Sequence, residues 1–96
     1  MEKLEQFLLQ FLDELERITY SADGVQKIVD TRLDILNQLQ GSDIEINKNL
    51  HLSFEKFERL LIESPRSGDK HYFDEGKINL RIDISSLLAE ISVKQH

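Results

Sequence analysis

Leu4, Phe7, Leu8, Phe11, Leu12, Leu15 and Ile18 recur at i, i+3, i+4, i+7, i+8, i+11 and i+14. That spacing gathers on one side of an α-helix and on neither face of a strand, so the chain opens with an amphipathic helix reaching about Tyr20. Glu2, Glu5, Asp13, Glu16 and Arg17 fall on its other side. A Leu/Phe stripe of this kind reads as core rather than as a lipid or cofactor surface. The chain has 96 residues, well below the roughly 250–300 at which chains divide, so residues 1–96 are expected to form a single domain around one core.

A second helix is expected from Ser21, its N-cap, to about Gln40, with Asp23 in the acidic first turn. Its buried face reads as Val25, Ile28, Val29, Leu33, Leu36 and Leu39, with Ile35 at the edge. Gly41 is the natural stop, because glycine enters the left-handed cap conformation without steric cost. The short link between the two helices implies antiparallel neighbours.

Residues 42–52 admit two readings. Ile44, Ile46, Leu50 and Leu52 flank Asn47-Lys48-Asn49 as in a small hairpin, and equally permit a loop into a third helix. From Ser53 the helix is plain: Phe54, Phe57, Leu60 and Leu61 keep its spacing, and Pro65 ends it. Residues 65–71 read as an exposed connection. Beyond it, Ile78, Leu80, Ile82 and Ile84 alternate with polar residues as in a strand, with Tyr72-Phe73 as the other arm of a hairpin. Leu80, Ile84, Leu87, Leu88 and Ile91 also keep helical spacing, with Asp74 as a plausible cap. Periodicity leaves both open. No internal repeat, low-complexity tract or linker interrupts the chain.

Charge narrows the partners. Twelve Lys and Arg stand against eighteen Asp and Glu, a net charge of −6, which disfavours direct binding of nucleic acid or of an anionic membrane. The acid is concentrated in residues 1–48, where ten acids meet five bases, whereas residues 49–96 hold eight and seven. Such a surface attracts a basic partner and speeds encounter with it. The absence of cysteine removes disulfides, thiolate nucleophiles and zinc–thiolate sites. Acids near the N-terminus, where a secretory signal would be basic, and the lack of a long apolar run point to a cytoplasmic protein.

Catalytic motifs are sparse. The four glycines, at 24, 41, 68 and 76, form no phosphate-cradling loop, and His51, His71 and His96 fit no metal-ligand spacing. Asp69-x-His71-x-x-Asp74-Glu75 is the best metal constellation, yet such clusters usually hydrate a turn. Paired carboxylates abound without a sign of the concave site that general acid–base chemistry needs. No enzyme, cofactor or metal is therefore expected. Acids at the turn around Asp69–Glu75 and on the third helix at Glu55, Glu58 and Glu63 have the chemistry to fill a basic RNA-binding cleft through charge-assisted hydrogen bonds.

The C-terminal third sharpens that expectation. Tyr72-Phe73-Asp74-Glu75, followed by Leu80-Arg81-Ile82-Asp83-Ile84-Ser85-Ser86-Leu87-Leu88-Ala89-Glu90-Ile91, resembles the end of the colicin D immunity protein family. That family shows an aromatic–acidic turn, then Leu-basic-aliphatic-acidic-aliphatic, then Ser-aliphatic-Leu. The likeness spans roughly the last 40 residues and uses common residue types. It departs from the family where Arg66-Ser67-Gly68 replaces acids after the breaking proline.

The resemblance implies an all-α antiparallel four-helix bundle, moving residues 75–94 towards helix; an α+β domain with a C-terminal hairpin is the alternative. It also implies a one-to-one complex in which an immunity protein, monomeric when free, occupies the basic tRNA-binding site of a nuclease toxin. The expected contact residues are Glu58, Glu63, Asp69, His71, Tyr72, Asp74 and Glu75, with His71, Tyr72 or Phe73 as the desolvated anchor. The competing expectation is a small acidic chaperone or assembly adaptor that binds a protein through apolar helix surface.

Overall fold

The structure, a computed structural model, describes residues 2–63 and 69–95. Among these residues the regular elements are four α-helices: α1 (Glu2–Arg17), α2 (Ala22–Leu39), α3 (Lys48–Glu63) and α4 (Asp69–Gln95). Each helix packs on its neighbours in sequence and α1 packs on α4, so the ring closes and the diagonal pairs stay apart. The result is an all-α four-helix bundle measuring 46 × 22 × 18 Å. The hairpin alternatives for residues 42–52 and 72–86 are excluded: the former is a loop leading into α3, the latter lies inside α4.

Local chemistry sets the boundaries. The Ser21 hydroxyl accepts the Gly24 N–H at 3.0 Å and caps α2, as its sequence position predicts. Gly41, with φ +84°, follows α2 in the left-handed region that a side chain would resist. Asn47, which the hairpin reading would place in a turn, is the cap of α3: its Oδ1 accepts the Leu50 N–H at 2.9 Å. Hence α3 starts at Lys48, five residues before Ser53. The expected connection 65–71 is shorter than its composition implied, because Asp69, Lys70 and His71 already belong to α4; its residues 65–68 lie outside the described residues. Asp74 is an interior helical residue, not a cap.

The core joins Leu4, Leu8, Phe11 and Leu15 of α1 to Phe54 and Phe57 of α3 and to Phe73, Leu80, Ile84 and Ile91 of α4. On α2 the expected face is corrected. Val25, Ile28, Ile35 and Leu39 are buried with Thr31, whereas Leu33 is 61% exposed and Leu36 also lies on the surface. The true stripe runs through positions 25, 28, 32, 35 and 39, and Arg32 interrupts it. Its guanidinium occupies the α2–α3 seam, 2.8 Å from Glu58 and 3.1 Å from His51 Nδ1. Thr31 is tolerated inside because its hydroxyl donates to the Lys27 carbonyl.

Two devices hold α4. Gly76 lets it approach α3, since a Cβ there would stand 3.0 Å from the Phe57 ring. Lys77 reaches the end of α1, donating to the Ile18 carbonyl at 2.7 Å, and lies over the Phe73 ring.

Candidate functional site

The residues singled out from sequence do not form one array. Asp69, His71, Tyr72, Asp74 and Glu75 occupy the first two turns of α4 rather than a turn between elements. Helical spacing there supplies local partners: Lys70 meets Asp74 at 3.3 Å and His71 meets Glu75 at 3.2 Å, each at i,i+4. Asp69 accepts the Tyr20 hydroxyl at 3.1 Å and so ties α4 to the link after α1. Glu58 faces the other way, bound to Arg32 of α2. Glu63 ends α3, and its side chain lies outside what is described.

The proposed anchors also divide. Phe73 is buried, edge-on to Tyr20 at 5.4 Å and to Phe57 at 5.7 Å, so it packs the bundle. His71 and Tyr72 are exposed. The Asp69–Glu75 constellation forms no metal-binding group, nor does any other set of three or more His, Asp or Glu among the described residues.

A more coherent acidic feature lies across the bundle. The α1–α2 seam is the most loosely packed of the four, leaving an open groove of about 380 Å³. Phe7 and Phe11 of α1 provide an apolar floor. Glu14 of α1 and Asp23, Asp30 and Asp34 of α2 line it, against Lys27 as the only cation of the lining. The sequence spacing explains the alignment: Asp23, Asp30 and Asp34 stand at i, i+7 and i+11, one side of a helix.

Lys27 bridges the groove to Glu14 at 3.1 Å. That hydrogen bond and the charge behind it, with help from Gln10 and Arg17, hold the Glu14 carboxyl below its ordinary value despite some desolvation. Asp30 accepts from Gln26 at 2.8 Å. Four carboxylates against one ammonium give the seam a surplus of negative charge beside the partly exposed ring of Phe7. Such a seam suits a partner carrying Arg or Lys on a partly apolar segment.

This groove was readable only in outline: the N-terminal half shows its excess of acid, and Asp23, Asp30 and Asp34 show their common phase. That α1 and α2 would part to admit a partner depends on packing. No family model matches the chain, and no curated protein or solved structure matches it either.

Proposed function

We propose that this chain is a non-catalytic protein inhibitor: an immunity protein that neutralises a basic, tRNA-cleaving toxin by occupying its RNA-binding site. The carrying observation is the α1–α2 groove, where Asp23, Asp30 and Asp34 stand beside the Glu14–Lys27 pair over Phe7 and Phe11. Carboxylates along a groove imitate the spaced charges of a phosphate backbone, and an apolar floor gives the complex a desolvated centre. The C-terminal likeness to the colicin D immunity family and the net charge of −6 support the same reading. No described helix is long and apolar enough to cross a membrane, and the proposed site of action is the bacterial cytoplasm.

The groove takes the place of α4 as the main contact. Asp74 and Glu75 already hold Lys70 and His71, so a toxin would have to displace those partners to gain them. The test is titration of the protein into a tRNA-cleavage assay driven by a basic tRNA-cleaving toxin domain, taken from beside its gene where one is encoded there, at low and moderate salt. Stoichiometric inhibition that weakens with salt is expected. Replacing Asp23, Asp30 and Asp34 by Asn should weaken inhibition on the order of tenfold or more, whereas Asp74→Asn with Glu75→Gln should change it little. Unchanged inhibition by the groove variant would refute the assignment of the groove, and failure of the wild-type protein to inhibit would refute the function.

A second reading draws on a separate observation. Leu33 of α2 and Ile62 of α3 are 61% and 81% exposed. A chaperone or adaptor using them would bind through apolar surface, and its complex would resist salt.

A further inference from the structure

Apolar residues normally mark one side of a surface helix, but α4 carries them on two. Leu80, Ile84, Leu87 and Ile91 enter the core, while Ile78, Ile82 and Val93 are 55%, 59% and 75% exposed. Ser85, Ser86 and Ala89, also exposed, complete an outer ridge without a charged side chain. Two of the three charges between its ends are turned aside: Arg81 pairs with Glu16 of α1, and Asp83 accepts from Ser53 of α3, while Glu90 stands on the flank of the ridge. In a chain of net charge −6, this ridge is where a second acidic molecule meets least repulsion.

We propose that two copies of this chain associate through α4, antiparallel about a two-fold axis between Ser85 and Ser86. Such an interface must complement itself. The operation sets Ile82 of one copy against Ala89 of the other and Ile78 against Val93, large beside small, while the two serines let the axes approach. Lys56 of α3 lines the flank of the ridge with Leu52, Asn79 and Ile82. The same operation brings it level with Glu90 of the second copy, giving a pair of opposite charges on each side of the axis. Residues 78–93 span about 23 Å. With the flank of α3 included, each copy loses roughly 500 Å² of accessible surface, and the total of about 1,000 Å² stands at the lower limit for a specific interface. The dimer is therefore concentration-dependent rather than obligate, and the monomer expected from sequence is its dilute form.

The acidic stripe lies on α2, diagonal to α4 in the ring. Both grooves face outward, so the dimer leaves them free and stands independently of the proposed function. Sedimentation equilibrium of the full chain over a wide concentration range tests it. The expected result is a monomer–dimer equilibrium that shifts to dimer as salt rises and is abolished by Ile82→Glu, with helical circular dichroism unchanged. Because the chain lacks cysteine, single cysteines report proximity: Ser86→Cys should cross-link under mild oxidation at a concentration where Asp30→Cys does not. A mass fixed at the monomer throughout would overturn the proposal. So would dimerisation indifferent to Ile82→Glu, or cross-linking that favours Asp30→Cys.

Discussion

Glu14 shows how much one contact depends on its protonation. Its carboxyl accepts from Lys27 across the α1–α2 seam, and its acid strength is raised accordingly. A carboxyl whose folded-state pKa lies below its unfolded one stabilises the fold above the unfolded value, and that contribution disappears as pH falls through the folded one. Both side chains are partly exposed, which limits the pair to about 0.2–1 kcal/mol. Glu14→Gln should therefore be less stable than wild type in neutral urea denaturation. The two curves should converge as pH falls through and below the lowered folded-state value of Glu14. Equal midpoints at neutral pH would show that Lys27 gains nothing from Glu14. Phe73 lies at the opposite extreme. It is buried between Tyr20 and Phe57, and Phe73→Ala should cost about 3–5 kcal/mol in the same experiment.

At the scale of elements, the closure of α4 onto α1 rests on a long side chain reaching an open helix end. Lys77 donates to the carbonyl of Ile18, just beyond α1, where the carbonyls lack intrahelical partners. Lys77→Met keeps the methylene packing and removes the donor, and should lower stability by about 1–2 kcal/mol. Amide exchange of the last turn of α1 should quicken more than that of α3; equal acceleration in both would mean a global effect instead.

The same scale shows what the sequence made legible. Three helices and their order follow from the Leu/Phe spacing, most cleanly in α1, where every buried residue lies on the expected stripe. The fourth did not follow, because Ile78, Leu80, Ile82 and Ile84 alternate as in a strand while Leu80, Ile84, Leu87 and Ile91 keep helical spacing. The orientation of α2 did not, because Arg32 holds a seam position that an apolar residue would have revealed. The start of α4 was equally hidden. Once Asp69 opens the helix, Lys70 and His71 stand one turn before Asp74 and Glu75 and engage them. A contact set that looked free in a turn is thus partly satisfied in a helix, and the less conspicuous acids of α2 line the open groove.

For the whole molecule, charge and stability oppose each other at the α1–α2 seam. Asp30 and Asp34 are like charges at i,i+4 and repel at a cost of a few tenths of a kcal/mol. Asp34→Lys converts the repulsion into an attraction and should raise the melting temperature by a few degrees. The same variant should inhibit the toxin more weakly, the expected relation when a surface is kept for a partner rather than for the fold. A variant both more stable and an undiminished inhibitor would assign the seam no role in recognition.

The closed ring has a further consequence for how the protein comes into being. α1 finds one of its two neighbours in α4, a 27-residue helix made after the other three. Until then the apolar stripe of α1 lacks its α4 neighbours, and α1 and α2 have only each other and α3 to pack on. A chain that stops short of α4 therefore leaves α1 without one of its two packing neighbours. On the proposed function, protection would begin only once α4 has been made, and it would be set by chains that carry all four helices rather than by those merely begun.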